Sequence, residues 1–145
     1  MSVYSNKQIK QAIEDGVIVS VPYSPDNVSE ASVDFTLGYY FYKQEYDERS
    51  RVYNPFDKDD VDRYFKGPLE AMPHQEWCDR YGFKLFENIP PEHPIIVLKP
   101  GERILAHTHE FIGIRSHGGA AEVKSRSSWG RNGVAVCFDA GWVDP

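Results

Sequence analysis

The segment from Arg126 to Pro145 constrains this chain most, because it joins a polar loop to a strand-like run and a tight turn. It reads Arg-Ser-Ser-Trp-Gly-Arg-Asn-Gly over 126–133, then Val-Ala-Val-Cys-Phe over 134–138, and it ends in Gly-Trp-Val-Asp-Pro. Arginine forks bind phosphate oxygens bidentately, and serine hydroxyls and turn N–H groups add donors around the same anion. Gly130 and Gly133 let the backbone approach that ligand closely, since glycine has no Cβ. The segment therefore predicts a site for a small phosphorylated ligand.

Composition limits the classes of protein that fit. With 145 residues the chain is long enough for one domain with its own core. A formal net charge of −6 argues against a general nucleic-acid binder, so the nearby Lys124, Arg126 and Arg131 favour a small anion. The two cysteines, Cys78 and Cys137, fit no zinc pattern, and no apolar run is long enough for a membrane helix or a signal segment. We therefore expect a cytoplasmic protein that binds neither nucleic acid nor a membrane.

The rest of the chain favours short strands over long helices, since 14% of its residues are aromatic and Pro and Gly occur throughout. A capping box at Ser5 and Gln8, an apolar stripe of Ile9, Ala12 and Ile13, and Gly16 after its end predict one short N-terminal helix. Strands are predicted at 17–21, at 31–38 with a bulged extension to 42, at 95–98 and at 103–114, the last two joined as a hairpin by the turn at 99–102.

Residues 43–86 predict an insertion within the single domain. The region is charged and aromatic, and its acidic run at 57–62 lacks the glycine and the closing glutamate of a calcium-binding EF-hand. That run instead predicts a solvated turn or the start of a helix around 59–66. The insertion is therefore expected to be partly helical.

Two further sets of side chains are candidates for chemistry. His107 and His109 alternate along a predicted strand, so their imidazoles share a face and could grip one metal with His117 or Glu110. Together with Gly101 they also begin like a cupin metal motif, although Glu110 adjoins His109 and should point the other way. Asp34 lies on the polar face of the strand at 31–38, where it is either solvated or orients a loop near the site. A metal-binding, cupin-like protein is thus one alternative.

The C-terminal segment closely resembles the signature of dCTP deaminases in the dUTPase-like superfamily. The matching motifs are Arg-Ser-Ser-x-Gly-Arg-x-Gly at 126–133, the strand that follows, and Ala-Gly-Trp-Val-Asp-Pro at 140–145. Weaker matches are the helix ending at Gly16, the stretch 31–38 and Leu-Lys-Pro-Gly-Glu at 98–102. The resemblance covers most of the chain outside 43–86. It implies a mainly β fold, namely a distorted jelly-roll-like β-barrel of the dUTPase-like (β-clip) type with a short N-terminal helix, assembled as a homotrimer with active sites between subunits.

The resemblance also implies roles for individual residues. Ser127 and Arg131 match catalytic positions beside the reacting cytosine ring, and Arg131 would hold the water and the general base in register. Asp144 matches an acidic residue near the deoxyribose, and Trp129 stands where the family often has an aliphatic side chain. The implied nucleotide-binding residues are Arg126, Ser127, Ser128, Trp129, Gly130, Arg131, Phe138 and Asp144.

The implied reaction is hydrolytic deamination of dCTP to dUTP and ammonia. Mg²⁺ is expected to arrive with the triphosphate, no zinc is implied, and dTTP is a candidate regulator. In the family the general base is a glutamate shortly after the Asp-Pro turn, so we expect the chain to be incomplete at its C-terminus. A dUTPase or a bifunctional dCTP deaminase/dUTPase stays open, because Gly-Trp-Val-Asp at 141–144 resembles the dUTPase turn. So does a non-catalytic nucleotide-binding or assembly module.

Overall fold

The computed structural model of the chain describes residues 3–45, 52–115, 119–137 and 140–143. In chain order the elements are α1 Asn6–Glu14, β1 Ile18–Val21, a 3₁₀ turn Pro25–Asn27, β2 Leu37–Gln44, α2 Lys58–Tyr64, β3 Phe65–Glu70, β4 Met72–Pro73, α3 His74–Tyr81, β5 Pro94–Ile95, β6 Ile104–Thr108, β7 Phe111–Ile114, β8 Ala121–Glu122, α4 Ser127–Arg131 and β9 Trp142–Val143. The mainly β class with a short N-terminal helix is thereby confirmed.

The chain divides into two compact units. The first unit consists of residues 1–36 and 110–145, and the second unit consists of residues 37–109. The largest sheet formed by the described strands has three strands, and it does not close into a barrel. No helix in the described part of the chain is long and apolar enough to cross a membrane. The single-domain organisation stays a prediction.

In the first unit, α1 forms as its caps predict. The Ser5 N–H donates to Gln8 Oε1 over 2.9 Å, which closes the N-terminal end. Ile9 and Ala12 are buried, which confirms the apolar stripe. Gly16 takes the left-handed conformation, φ 70°, just after the helix ends, as a glycine in that position should. The turn leads directly into β1, which pairs antiparallel with β7.

The stretch 31–36 of the first unit is not a strand. Its one ladder contact is an isolated bridge between Val28 and Val33, and regular pairing begins only at Leu37. Phe35 and Leu37, which alternation predicts to be buried, are 36% and 54% exposed. Period-2 alternation describes a half-buried sheet face, and here neither neighbouring strands nor a covering layer provide one. The predicted strand at 31–38 is therefore wrong up to Thr36.

The second unit is built on the sheet β3-β2-β6, in which both neighbours run antiparallel to β2. Leu37 lies opposite Thr108 and Phe41 opposite Ala106, so β2 has a bulge between them, as predicted. Gly38 sits in that bulge against the imidazole of His107. A Cβ at Gly38 would lie 2.2 Å from His107 Cε1.

Residues 43–86 contain helix, as predicted, and they also supply β3 to this sheet. The acidic run begins α2, because the Asp57 carboxylate accepts from the N–H groups of Asp59 and Asp60. The third helix, α3, is not predicted from the sequence. It is fixed by His74, which is fully buried and stacks on Phe86 with ring centroids 5.4 Å apart.

The predicted hairpin of 95–98 with 103–114 does not form. β5 pairs with β4, whereas the long predicted strand breaks after Thr108 into β6, which pairs with β2, and β7, which pairs with β1. The predicted tight turn at 99–102 is present, since the Glu102 N–H donates to the Lys99 carbonyl over 3.0 Å. The break comes at Glu110, whose side chain is buried and 6% exposed.

Candidate functional site

The predicted nucleotide loop contains the short helix α4. Gly130 N–H donates to the Arg126 carbonyl over 3.0 Å, and Asn132 N–H donates to the Ser128 carbonyl over 3.3 Å. These bonds reach back one helical turn, so the expectation of an irregular loop is wrong for 127–131. Gly133, with φ 80°, then reverses the chain where other residues would be strained.

The helix brings together the two residues predicted to be catalytic. Ser127 and Arg131 are four positions apart in α4, and side chains at that spacing lie on the same face of a helix. Both side chains are exposed. A hydroxyl and a guanidinium are therefore presented side by side to whatever binds on this face.

Arg126 precedes the helix, and its guanidinium contacts Asp34. Arg126 Nη2 lies 3.4 Å from Asp34 Oδ2, while the two side chains are 67% and 31% exposed. Of the two readings left open for Asp34, this contact favours a carboxylate that orients the loop. Arg126 keeps further donors on its guanidinium for a ligand, because an arginine carries five N–H groups.

A cavity of about 440 Å³ is lined by residues that precede and follow α4 in the sequence, but by no residue of α4 itself. It is lined by Glu122, Val123, Lys124, Ser125, Ala135, Val136, Gly141 and Trp142. β8 and β9 form one wall, with Glu122 opposite Trp142 and the Val123 N–H donating to the Gly141 carbonyl over 2.7 Å. Gly141 is required there, because a Cβ would lie 2.8 Å from the Val123 carbonyl oxygen. The volume falls within the usual range of small-molecule sites, about 300–1,000 Å³.

Polar and aromatic groups line the same cavity. Lys124 Nζ lies 3.0 Å from Glu122 Oε2, so the two charges partly neutralise each other. Trp142 is 59% exposed and offers an indole face at the cavity wall. Sequence reasoning missed Trp142 and Glu122 as lining residues. Trp142 stands in the quoted Gly-Trp-Val-Asp-Pro turn, but its place at the cavity follows from the pairing of β8 with β9 and not from a local sequence signal.

The remaining predicted residues are placed as follows. Ser128 and Trp129 belong to α4, and Trp129 is 58% exposed. Gly130 also lies in α4, where a Cβ would come 3.4 Å from Ser125 Oγ. Phe138 and Asp144 lie outside the described residues. The candidate site consists of Arg126, the residues of α4 and the residues that line the cavity.

The two histidines of the metal hypothesis contact different aromatic rings. His107 stacks on Tyr40 with centroids 6.4 Å apart, and His109 meets Tyr39 edge-on at 5.8 Å. The predicted partner Glu110 is instead used inside the fold, where it accepts hydrogen bonds from Thr36. Within the described ranges, no three His, Cys, Asp or Glu side chains group closely enough to hold a metal ion. The third candidate, His117, lies outside those ranges.

Comparison with known proteins decides the family. A family model described as dCTP deaminase-like matches residues 3–145. The chain belongs to the dCTP deaminase-like family. Relatives named "dCTP deaminase, dUMP-forming" come from Nanoarchaeum equitans, 28% identical over 142 residues, and from Methanopyrus kandleri, 31% identical over 149 residues. A third, with the same name, is from Methanobrevibacter smithii and is 30% identical over 146 residues.

Almost the whole of this dCTP deaminase-like chain aligns with those relatives, but only part of each relative aligns with the chain. The alignments cover 97%, 100% and 100% of the chain and 66%, 65% and 64% of the three relatives. The chain therefore spans about two thirds of the length of the dCTP deaminases it matches. Their names give dUMP as the product, which is at odds with the predicted dUTP.

Proposed function

We propose that the full-length protein hydrolytically deaminates dCTP. The observation that carries this proposal is α4, which presents Ser127 and Arg131 on one face, directly after Arg126 and, in the sequence, between the two stretches that line the cavity. Family membership gives the reaction class, and this geometry supports assigning the reacting pyrimidine to the Ser127 and Arg131 face. The relatives are named as dCTP deaminases, which supports dCTP as the substrate.

The triphosphate would bind at the N-terminal side of α4. Arg126 offers guanidinium donors, and Ser127 and Ser128 offer hydroxyls, at that end of the helix. Each group suits phosphate oxygens better than it suits a neutral sugar, because the bonds are charge-assisted. The deoxyribose would then extend toward the cavity, with Trp142 beside it, while the base lies at the Ser127 and Arg131 face.

Deamination at cytosine C4 requires a water that attacks the ring, and a base that takes its proton and delivers protons to N3 and to the leaving amine. Ser127 and Arg131 would hold that water and the ring, since neither a hydroxyl nor a guanidinium serves as a base at neutral pH. Glu122 lines the cavity but is paired with Lys124. We assign the base to the glutamate that the resemblance to dCTP deaminases places after the Asp-Pro turn.

We further propose dUMP as the final product. Deamination of dCTP with one water gives dUTP and ammonia, and hydrolysis of dUTP with a second water gives dUMP and pyrophosphate. The relatives are named for dUMP formation, and the Gly-Trp-Val-Asp turn at 141–144 resembles the dUTPase turn that activates water for attack at phosphorus. Both steps use the same bound nucleotide.

Mg²⁺ would enter as part of the substrate, held mainly by the phosphate oxygens. The described site offers guanidinium groups and hydroxyls and no cluster of three carboxylate, imidazole or thiol ligands, which fits a metal that needs few protein ligands. The chemistry that the ion supplies is charge neutralisation on the triphosphate.

Assembly as a homotrimer, with a closed jelly-roll-like β-barrel, is part of the same proposal. Each unit exposes large apolar side chains on its strands, among them Phe111 at 80% in the first unit and Leu105 at 55% in the second. Large apolar side chains that are exposed on a strand are typical of surfaces that another chain covers. Sedimentation of the full-length protein would give the mass of the assembly.

The central experiment uses protein made from the complete coding sequence, incubated with dCTP and Mg²⁺. We expect ammonia, pyrophosphate and dUMP in equal amounts. Ammonia with accumulated dUTP would identify a deaminase that stops after the first step. Pyrophosphate from a parallel incubation with dUTP, without ammonia from dCTP, would identify a dUTPase. Absence of all three products would contradict the proposed function.

Variants of α4 separate binding from chemistry. Arg131→Ala and Ser127→Ala should each lower kcat by about 100-fold or more, because they remove groups that act on the reacting ring. Arg126→Ala should mainly raise KM, by about 10-fold or more, because it removes a charge-assisted phosphate contact. The matched control is Arg80→Ala, which removes an exposed helical arginine of the second unit that is paired with Glu76 and should leave both constants unchanged.

A nucleotide-binding module without catalysis is the second candidate. It is favoured by the fact that the described site groups, guanidinium and hydroxyl, are binding groups rather than bases. It predicts calorimetric binding of dCTP by the full-length protein without any product. A measurable kcat with dCTP would exclude it.

A further inference from the structure

We propose that Asp34 is a positioning residue for the triphosphate, acting through Arg126. The proposal rests on the proposed function of the same site. Its starting observation is the contact between Asp34 Oδ2 and Arg126 Nη2 at 3.4 Å, which joins the phosphate side of α4 to a stretch far away in sequence. A carboxylate that is only solvated has no need of such a contact, and hydrogen bonds on both sides of Asp34 hold its backbone in place.

The backbone around Asp34 is fixed although it is not a strand. The Asp34 N–H donates to the Asn27 carbonyl over 2.8 Å. Two residues further on, Thr36 is clamped by the carboxylate of Glu110, which accepts from the Thr36 N–H over 2.9 Å and from its hydroxyl over 2.8 Å. Glu110 is only 6% exposed, so its carboxylate is largely shielded from water, whereas Thr36 itself is exposed. The Asp34 side chain therefore projects from a backbone anchored on both sides.

The same stretch is tied to the N-terminal helix. The Asn6 side-chain amide donates to the carbonyls of Val28 and Ser29, each over 2.9 Å, and the Asn6 N–H donates to the Glu30 carbonyl over 2.7 Å. Val28 is buried and bridges to Val33, next to Asp34. These bonds make a firm platform of residues 27–36, to which the Asp34 carboxylate belongs.

Arg126, in contrast, is 67% exposed, and a long side chain in water samples many rotamers. An anchored carboxylate on one edge of its guanidinium reduces that freedom and leaves the other N–H donors directed outward. A triphosphate then meets an arginine that is already oriented, so less freedom is lost on binding. The negative charge of Asp34 acts in the opposite sense, because it repels the anion. Since an exposed carboxylate is screened by salt, we expect orientation to dominate at physiological ionic strength.

Three substitutions at one position separate orientation from repulsion. Asp34→Ala removes the contact, Asp34→Asn keeps an oxygen that can accept from Arg126 while removing the charge, and the double variant with Arg126→Ala removes the group being positioned. Calorimetry on the full-length protein at about 0.15 M salt would measure binding of inorganic tripolyphosphate, dCTP and deoxycytidine. Asp26→Ala is the matched control, since it removes an equal charge from an exposed position of the same unit.

We expect Asp34→Ala to weaken tripolyphosphate and dCTP by about threefold, which is the scale of a partly exposed ion pair. Asp34→Asn should weaken them less, deoxycytidine should bind as before, and Asp34→Ala should have no further effect once Arg126 is alanine. Unchanged or tighter binding of tripolyphosphate by Asp34→Ala would overturn the proposal, and so would an equal loss in the Arg126→Ala background or an equal loss for deoxycytidine. If the wild-type protein binds neither tripolyphosphate nor dCTP, the proposed function itself fails, and the positioning role falls with it.

Discussion

Gly38 is the position at which adding one methyl group tests the sheet of the second unit most directly. It lies buried in the bulge of β2, and a Cβ there would be 2.2 Å from His107 Cε1 and 2.6 Å from both ring nitrogens. Carbon atoms in contact prefer about 3.5–4.0 Å, so Gly38→Ala cannot be accommodated while the imidazole stays where it is. Either the ring or the backbone has to move.

The cost of moving the ring follows from what holds it. His107 Nδ1 donates to the Thr108 carbonyl over 2.6 Å, and the ring lies nearly parallel to Tyr40, 13° apart in plane. One hydrogen bond contributes about 0.5–1.5 kcal/mol and one aromatic pair about 0.5–1.5 kcal/mol. His107 is exposed, which places the sum toward the lower end. We therefore expect Gly38→Ala to lower the free energy of unfolding by about 1–2 kcal/mol.

The measurement is chemical denaturation of three variants alongside the wild type. Gly113→Ala is the matched control, because Gly113 is also a strand glycine, in β7, but has no atom within 4 Å of the added Cβ. It should be neutral or slightly stabilising, since alanine loses less backbone entropy than glycine in a strand. The double variant Gly38→Ala with His107→Ala should recover most of the loss, because the obstructing ring is gone. If Gly38→Ala were as mild as the control, or if removing the ring gave no recovery, the steric argument would be refuted.

Two further predictions concern the second unit. His74→Ala should lower the free energy of unfolding by about 3 kcal/mol in denaturant titrations, because it empties a fully buried site. It also removes the hydrogen-bond partner of the Ile89 carbonyl and of the Phe86 N–H, which lie 3.1 and 3.2 Å from the ring nitrogens. A loss below about 1 kcal/mol would contradict this. The hydrogen bond from the Lys99 N–H and the neighbouring Lys43 ammonium lower the pKa of Glu102 from its ordinary 4.5. The ionised carboxylate therefore stabilises the folded state above pH 4.5, and this contribution is lost as the pH falls through the lower pKa of the folded state. Glu102→Gln should therefore be slightly less stable than the wild type at pH 7, with the difference shrinking toward pH 3; a difference that does not depend on pH would be evidence against the role of the charge.

How far the sequence predicts the fold depends on whether the relevant interactions are local. The cap at Ser5, the left-handed Gly16 and the turn at 99–102 are decided by neighbours within four residues, and all three are present. Strand pairing is not local. The strand-like pattern at 103–114 gives no sign that β6 and β7 pair with different strands, and so the hairpin prediction fails.

The candidate site shows the same division. The spacing of Ser127 and Arg131 is in the sequence, but only the helix, closed by hydrogen bonds from Gly130 and Asn132, turns that spacing into a shared face. The pattern Arg-Ser-Ser-x-Gly-Arg predicts a loop because Ser and Gly are poor helix residues. In the structure, hydrogen bonds between residues four positions apart override that weak preference. The lining residue Trp142 needed the pairing of β8 with β9, which no local pattern announces.

The orientation of Arg126, which we propose to bind phosphate, depends on residues outside the C-terminal signature, and Glu110 is one of them. From the sequence it was a candidate metal ligand beside His109, yet a buried carboxylate must have its hydrogen-bonding capacity filled, and both of its oxygens accept from Thr36. That clamp fixes the end of the 27–36 platform from which Asp34 reaches Arg126. The signature segment thus supplies the groups that would meet the nucleotide, while residues nearly a hundred positions earlier hold one of them in place. A change in the platform should consequently alter phosphate affinity even though it leaves every residue of the signature intact.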